Sequence, residues 1–340
     1  MTTTIRDVAR RARVSVATVS RALAEPRLVR KETLERVLAA ARHLAYRPNP
    51  AAQSLITGRT GNLGIIVPDF ENPFYPSVLR GVQARAHQGG YAVLLADSGE
   101  DPAAEGNLVR TMTRQVDGII VCAPFSSDTQ LRGMAATTSL VLVNRQLSGI
   151  PAVLMDAAGG MRQATAHLAS LGHRRCAFLN GPRRAWSNRE RRRGLHAAAR
   201  TTRIDIIELG PFEPKFEGGF EAADQALDAS VTAIIAFNDM MALGVLRRLA
   251  ARGVRVPDEM SVVGFDDILY AAMCAPSLTT VAMPMEAAGR AAVDLLLQRS
   301  DGAAAFHGRL PTDLIVRATT APPPRRSVPH RRRRATRATA

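Results

Sequence analysis

The sequence predicts a small all-α module at the N-terminus, followed by an α/β core that is built from two parallel-sheet lobes. Residues 4–23 contain two short amphipathic stretches at helical spacing, with a four-residue break between them. Positive charge is concentrated in the first 60 residues. From Leu63 onward, short apolar runs alternate with helical patterns, which is typical of parallel sheets covered by crossover helices.

The net charge of +15 lies at the two ends of the chain. Residues 1–60 contribute +8 and residues 322–340 contribute +7, whereas residues 61–321 hold 26 basic and 26 acidic residues. A basic module on a neutral body favours nucleic-acid binding by that module. No apolar run reaches 18 residues and no apolar segment precedes the first charges, so we expect neither a membrane span nor a secretion signal. The widely spaced cysteines indicate free thiols in a reducing compartment: Cys122, Cys176 and Cys274.

The N-terminal module has the spacing of a helix-turn-helix. Thr4 is positioned to cap the first helix, with Asp7 completing a partial capping box, and Ser15 is positioned to cap the second. A third helix is predicted from about Lys31 to Leu44. Apolar residues at helical spacing define the buried faces: Ile5, Val8, Ala9, Ala12, Val19, Ala22, Leu23, Leu34, Val37, Leu38 and Ala41.

Motifs that follow one another along residues 4–320 indicate a family. They are DVARRARVSVATVSRAL, LAYRPNPAAQSL, ENPFY (71–75), HLASLGHRR (167–175), NGP (180–182), NDMMALG (238–244), SVVGFDD (261–267) and PSLTTV (276–281). In this order they resemble the lac-repressor-like (LacI/GalR) family. The resemblance implies a three-helix DNA-binding head, a short hinge helix and a core shaped like periplasmic sugar-binding proteins. Two positions depart from the family pattern, since Arg13 replaces the usual Gly of the turn and Arg30 replaces the usual Ser-like cap of the third helix.

Six residues around the start of the second helix are predicted to contact DNA: Ser15, Val16, Ala17, Thr18, Ser20 and Arg21. The helix is expected to enter the major groove with its N-terminal residues facing base edges. Arg21 is the candidate for a bidentate contact to guanine, Val16 and Ala17 offer apolar contact, and the three hydroxyl residues suit phosphate oxygens. The alternative is that Arg21 is a solvated surface residue and Ser15 only a helix cap.

A short hinge helix is predicted after the head. Pro50 suits its first position and Asn49 its N-cap, and the helix would end at Leu55. So short a helix is marginal alone in water. The resemblance implies that it orders on the operator, where Leu55 wedges into the minor groove and Ala52 allows close approach. The alternative is that Leu55 belongs to the core or to a linker.

Polar residues close several predicted strands of the core. Strands are predicted at 63–68, 91–97, 117–124, 139–144, 175–181, 232–238 and 260–267, and helices at about 75–88, 101–115 and 161–171, from about 189, and at 240–252. Ligands of such sheets bind outside the carboxyl ends of the strands, and carboxylate and amide groups suit hydroxyl-rich ligands. The residues at these ends are Asp69, Asn144, Asn238 and Asp266.

The resemblance adds further residues to this site. It implies that Arg191 bridges sugar hydroxyls, with Asn238 and Asp266 as the partner amide and carboxylate. Candidate ring-stacking walls are Phe74, Trp186 and Phe216, or Phe212 in place of the last. Alternatives remain open. Asp266 could cap a turn, and Trp186 could be core. The neighbouring arginines leave the register of Arg191 open, and Asp69 and Asn144 could lie outside the site.

The predicted domain boundaries follow from these patterns. The head covers 1–47, the hinge and linker 48–61, the two-lobe core 62–321 and an Arg-rich tail, expected to be disordered, 322–340. Lobe 1 is expected at about 62–156 and 284–311, and lobe 2 at about 157–283 and 312–321. Three crossings between lobes form a hinge for ligand closure.

Together these features predict a sequence-specific, DNA-binding transcriptional repressor. It is expected to bind a pseudo-palindromic operator as a homodimer and to be switched by a small-molecule effector, a sugar or a derivative, in the cleft between the lobes. A solute-binding protein of an importer shares the core, but the basic head and the missing signal argue against it. An enzyme is disfavoured because no GxSxG, HExxH, P-loop or GxGxxG motif occurs. No cofactor, metal or membrane partner is expected, and the location is expected to be cytoplasmic, at the nucleoid.

Overall fold

A computed structural model describes residues 3–24, 26–46, 58–298 and 307–324. The chain divides into two compact units, Met1–Gly61 and Asn62–Ala340. The predicted hinge residues lie outside the described residues, as does the tail from 325 onward; the hinge residues are Asn49, Ala52 and Leu55. Within the described ranges, no helix is both long and apolar enough to span a bilayer.

The first unit packs three helices around a core of small side chains, as the sequence predicts. The helices are α1 (Ile5–Ala12), α2 (Val16–Ala24) and α3 (Lys31–His43), with a 3₁₀ turn at Pro26–Leu28 between the last two. Each helix contributes its apolar face. The buried residues are Val8, Ala9, Ala12, Val19, Ala22, Val37, Ala40 and Ala41.

The predicted caps of α1 and α2 are present. The backbone amide and hydroxyl of Thr4 donate to Asp7 Oδ2 at 2.9 and 2.7 Å. The Thr18 amide donates to Ser15 Oγ at 3.1 Å. These bonds satisfy donors that the first turn of each helix leaves without partners, so the start of both helices is fixed locally.

The two departures from the family pattern have clear structural outcomes. Arg13 ends α1 in the left-handed conformation, at φ 54° and ψ 47°. The turn geometry that Gly would allow is therefore kept, at the steric cost of a Cβ atom. Arg30 precedes α3 and makes no side-chain capping bond, so the backbone alone starts that helix.

The first lobe of the second unit is built on a six-stranded parallel sheet. With strands numbered in chain order, their order across the sheet is β11-β5-β4-β3-β1-β2. Buried apolar strands with crossover helices are what the sequence predicts for a parallel sheet. The strands are β1 (Asn62–Val67), β2 (Ala92–Asp97), β3 (Ile119–Cys122), β4 (Leu140–Val143), β5 (Ala152–Met155) and β11 (His307–Leu310). The helices are α4 (Phe74–Gln88), α5 (Pro102–Met112), α6 (Asp128–Ala135) and α12 (Met285–Gln298).

The second lobe is built on a four-stranded parallel sheet in the order β7-β6-β8-β9, accompanied by an antiparallel pair of strands, β10 and β12. The strands are β6 (Arg175–Leu179), β7 (Asp205–Leu209), β8 (Ala233–Ala236), β9 (Ser261–Val263), β10 (Thr280–Ala282) and β12 (Asp313–Ile315). The helices are α7 (Ala157–Ser170), α8 (Trp186–Thr202), α9 (Phe216–Asp228), α10 (Asp239–Ala251) and the short α11 (Leu269–Met273).

The chain leaves the first sheet at Asp156, returns to it with α12 and leaves it again after β11. Asp156 also caps α7, since its Oδ1 accepts from the Gly159 amide at 3.1 Å. The prediction that this helix starts at Met161 is wrong by four residues. Gly159 and Gly160 suggest no helix by propensity, but a Cβ at Gly160 would lie 2.5 Å from Val281 Cγ1, so tight packing requires glycine there.

Candidate functional site

The start of α2 presents a surface to solvent in the first unit. Val16, at the start of the helix, is 40% exposed although it is apolar, whereas Val19, three residues further along, is fully buried. The Ser15 hydroxyl caps the helix and lies 2.8 Å from Thr18 Oγ1. All six residues predicted to contact DNA are exposed or partly exposed: Ser15, Val16, Ala17, Thr18, Ser20 and Arg21.

In the second unit, a cavity of about 50 Å³, partly open to solvent, lies at the carboxyl ends of the strands of both lobes. Ligands of parallel α/β sheets bind at this edge of the strands. Seven of the eight residues predicted for effector binding line it: Asp69, Phe74, Asn144, Trp186, Arg191, Asn238 and Asp266. The first three come from the first lobe and the other four from the second, so the cavity joins the two lobes.

The buried arginine of the cavity is Arg191. Its residue is 4% exposed, whereas Arg189, Arg192 and Arg193 on the same helix are exposed. Arg191 Nη2 donates to Asp266 Oδ1 at 2.9 Å, and Nη1 donates to the Phe237 carbonyl at 2.6 Å. The structure therefore places Arg191, and not a neighbouring arginine, against the cavity.

Aromatic rings fix the plane of this guanidinium. Its carbon lies 4.3 Å from the ring centroid of Phe237 and 4.1 Å from that of Phe265. Cation–π contacts of this kind strengthen when the cation is desolvated. The remaining donor, Arg191 Nε, is buried and has no hydrogen-bond partner among the described residues. The nitrogen is also closed to solvent, so it is a buried, unsatisfied donor on a residue that lines the cavity.

Burial governs the electrostatics around this pair. It raises the pKa of Asp266, and the charge of Arg191 opposes that rise. It also lowers the pKa of Arg191, against the effect of Asp266. A second buried carboxyl, Asp239, accepts from the Thr280 hydroxyl at 2.6 Å and the Ile268 amide at 2.9 Å, and burial raises its pKa to about 6. Two buried carboxyls therefore lie near one buried cation.

Asn238 connects the cavity to the second lobe's helices. Its Oδ1 accepts from the Met241 amide at 2.9 Å, which caps α10, and its Nδ2 donates to the Pro214 carbonyl at 2.8 Å. Each polar atom of the side chain thus has a protein partner already, so the side chain is held rigidly. The amide nitrogen has a second hydrogen and the oxygen a second lone pair, which remain for a ligand.

The first-lobe residues are held by their own loops. Asp69 Oδ1 accepts from the Glu71 amide at 2.8 Å. Asn144 adopts a φ of 55°, and its Oδ1 accepts from the Met155 amide at 3.2 Å. Phe74 begins α4 and packs edge-on against Tyr75, with ring centroids 5.1 Å apart. These contacts orient the side chains before any ligand arrives.

The aromatic predictions have different outcomes. Trp186 lines the cavity, but the Arg189 guanidinium lies 4.1 Å from its ring centroid. Phe216 does not line the cavity, and neither does Phe212. Phe216 begins α9, and the cavity is reached instead by Pro214, two residues earlier. The path of the segment before α9 decides this, and no periodic pattern predicts that path.

Several residues that line the cavity were not predicted from the sequence. Asn72 and Tyr75 lie in the ENPFY motif with Phe74, and Ser187 lies next to Trp186, so these three had a signal. Others stand in loops or at strand ends without a distinguishing pattern, among them Glu100, Phe125 and Phe237. Burial raises the pKa of Tyr75 well above its ordinary value, so this phenol stays neutral and can donate a hydrogen bond.

Comparison with known proteins gives consistent matches. Residues 4–49 match the family model of bacterial regulatory proteins of the lacI family, and residues 165–320 match that of the periplasmic binding protein-like domain. The chain is 31% identical to the transcriptional regulator DegA of Bacillus subtilis over 95% of this chain and 99% of DegA. It is similar to the lac repressor dimer bound to operator and the anti-inducer ONPF (TM-score 0.84, 30% identity, 94% of this chain and 100% of that one). A lacI-family regulator from Enterococcus faecium with bound ribose also matches (TM-score 0.70, 28% identity, 77% of this chain and 99% of that one).

Proposed function

This chain belongs to the lacI family of bacterial regulatory proteins, and we propose that it is a transcriptional repressor whose affinity for operator DNA is switched by a sugar or sugar-like effector. The observation that carries the proposal is that the seven residues named above converge on one cavity in a chain that also presents a helix-turn-helix surface. The relatives are transcriptional regulators, and we propose that this chain likewise acts by binding, without catalysis, on DNA in the cytoplasm.

Sequence would be read by α2 in the major groove. Arg21 is the residue for a bidentate guanine contact, which discriminates by about 1–3 kcal/mol against a wrong base pair. Val16 and Ala17 would contact base edges by shape, and the hydroxyls of Ser15, Thr18 and Ser20 would contact phosphates. The hinge residues would add a minor-groove wedge, as the family resemblance implies; they are Asn49, Ala52 and Leu55.

The effector would lie between the lobes. Arg191 and Asp266 can bond neighbouring hydroxyls, because Nη1 and Nη2 each carry a second hydrogen and the carboxylate has further lone pairs. Asn238 adds an amide hydrogen and Asn144 an amide from the other lobe. Asp69 accepts from a further hydroxyl, and Phe74 and Trp186 supply apolar ring surface, as is usual for ligand sites. The related structure from Enterococcus faecium holds ribose, which supports this class of ligand.

Closure of the lobes would be the switching step. We propose the division into a head (1–47), a hinge and linker (48–61), a core (62–321) and a tail (322–340). The core has its first lobe at about 62–156 and 284–311. Because three segments connect the lobes, an effector that contacts both can favour one angle between them.

The functional unit would be a homodimer. Large apolar side chains are exposed on the core, and exposed apolar patches mark interaction surfaces; they include Phe70 at 41%, Leu269 at 70%, Tyr270 at 48% and Met273 at 68%. Leu269 and Met273 are four residues apart on α11 and share one face of it. A second copy of the chain covering this face would match the dimeric state of the related lac repressor structure.

The proposal is tested in two steps with the full chain. Selection of bound sequences from a random DNA library should yield a pseudo-palindromic site, whose affinity is then measured by fluorescence anisotropy. A panel of sugars is screened by thermal shift, and each hit is added to the DNA complex. A sugar that stabilises the protein and changes operator affinity supports the function. Binding with no sequence preference, or turnover of a sugar that leaves DNA affinity unchanged, would count against it.

A further inference from the structure

The charges that line the cavity are unequal. Among the described residues, the lining holds three carboxyl groups, those of Asp69, Glu100 and Asp266, and one guanidinium, that of Arg191. Arg191 is paired with Asp266 at 2.9 Å and both side chains are about 5% exposed. The remaining two carboxylates, Asp69 and Glu100, form an acidic wall on the first-lobe side. No cation of the described lining is paired with this wall.

Two interlocked loops hold the acidic wall in place. The Asp97 carboxylate, at the end of β2, accepts from the Phe70 amide at 2.8 Å and from the Gly99 amide at 2.7 Å. The Glu100 amide donates to the Pro68 carbonyl at 3.0 Å. These hydrogen bonds, made next to Asp69 and Glu100, therefore hold the two loops together against the repulsion between the two carboxylates.

The acidic wall already attracts a cation from the opposite lobe. Asp69 is the main cause of the raised pKa of Lys215, whose Nζ lies 3.6 Å from Glu71 Oε2. Burial and the charge of Asp69 raise the pKa of Glu100, and Lys215 only partly offsets this. Lys215 stands outside the cavity lining, and its side chain is 44% exposed. It lies at the rim, among acids that include the exposed Glu71 and Glu213.

The opposite side of the cavity presents hydrogen-bond donors, so a ligand must offer acceptors there. Arg191 lines this side, and its Nη1 and Nη2 each carry a second hydrogen besides the one donated to the Phe237 carbonyl or to Asp266. Asn238 and Tyr75 add donors on the same lining. A ligand that fits both sides must present oxygen acceptors to Arg191 and positive charge to Asp69 and Glu100.

We propose that the effector of this cavity is a polyhydroxylated amine, such as an amino sugar, whose ammonium group faces Asp69 and Glu100 while its hydroxyls face Arg191 and Asn238. The inference rests on the proposed function and narrows its ligand class. The same charges disfavour sugar phosphates and sugar acids, because an anion would meet the carboxylates of Asp69 and Glu100.

The test compares matched ligands on the full chain by isothermal titration, at a pH where the amine is protonated. The probes are D-glucosamine, D-galactosamine and D-mannosamine, each paired with its neutral parent hexose and its neutral N-acetyl derivative. At least one amine should bind about tenfold more tightly than its parent, which corresponds to about 1.4 kcal/mol. Glu100→Gln and Asp69→Asn should each reduce that preference toward one. Glu221→Gln, at an exposed position on α9 outside the cavity lining, is the matched control and should leave it unchanged.

Equal or tighter binding of the neutral parents, or no binding of any amine, would overturn the inference. A neutral sugar that binds and changes operator affinity would then leave the proposed function standing, whereas a chain without a specific operator would fail that function whatever it binds in the cavity. The comparison of ligand pairs on the unaltered protein decides the question even if a variant folds poorly.

Discussion

The buried ion pair in the cavity yields the sharpest prediction. Asp266→Asn keeps the shape of the side chain and an acceptor for Arg191, but it leaves the guanidinium without its counter-charge. Both side chains are about 5% exposed, and removal of one partner of a buried pair costs about 3–5 kcal/mol. For a core of this size, each kcal/mol lowers the unfolding temperature by roughly 2 °C, so we expect a loss of about 6–10 °C.

Substitution of Arg191, alone or together with Asp266, tests the same buried ion pair. Arg191→Met should destabilise less than Asp266→Asn, because burial raises the pKa of Asp266 and the carboxyl left behind can be protonated. The double variant Arg191→Met/Asp266→Leu fills the same space with apolar side chains. It should be more stable than Asp266→Asn, since apolar replacement of a whole buried pair is often neutral or stabilising. The effector response should be lost in all three variants, because each removes at least one charged group from the cavity.

The assay is calorimetric unfolding together with operator binding, with and without effector. Arg192→Met is the matched control, because Arg192 stands next to Arg191 but is exposed and pairs with Glu208. An exposed pair of this kind contributes at most about 1 kcal/mol. The reasoning is refuted if Asp266→Asn unfolds at the temperature of the unaltered protein, or if the double variant is the least stable of the set.

Three further outcomes are expected. Arg21→Ala should weaken operator binding by about 1–3 kcal/mol and abolish discrimination at one base pair in anisotropy assays; an equal loss on all DNA would make Arg21 a phosphate contact. Leu269→Asp should convert a dimer to a monomer in light scattering, whereas Glu221→Gln, at an exposed site on α9, should not. Asp239→Asn should remove a pH dependence of stability. The folded-state pKa of Asp239 is raised to about 6, so the unaltered core should lose stability as pH rises from about 4 to 6 relative to the variant; parallel curves would contradict this.

Much of the cavity could be predicted because parallel sheets place strand ends together. Asp69, Asn144, Asn238 and Asp266 follow apolar strands, and the structure brings all four to one cavity. The register of Arg191 could not be predicted from spacing. Asn188, Arg191 and Leu195 lie on the buried side of α8, three and four residues apart. Arg192 lies four residues after Asn188 and three before Leu195, so helical periodicity alone does not distinguish the two arginines.

The sequence predictions fail where tertiary contacts, and not local pattern, determine the path of the chain. Glu100 has no periodic neighbour to reveal it, and its position depends on a φ of 61° and on the bond from its amide to the Pro68 carbonyl. Phe216 was predicted as a wall of the cavity, but α9 begins there and Pro214 takes that place. Strands β10 and β12, of three residues each, are too short to produce an alternating pattern.

The division of the cavity between the lobes determines how an effector could act. Arg191, Asn238 and Asp266 all belong to the second lobe, so their mutual geometry is set whether or not the lobes move. A ligand shifts an equilibrium only by its difference in affinity for the two states. That difference must come from contacts that closure makes or breaks, which are those of the first lobe, including Asp69 and Asn144. Moving the population from 1:99 to 99:1 takes about 5.5 kcal/mol. Two or three hydrogen bonds to charged groups, at about 1.5–3 kcal/mol each, are enough. We therefore expect the buried pair to decide whether the proposed effector binds, and the first-lobe side chains to decide whether its binding changes affinity for DNA.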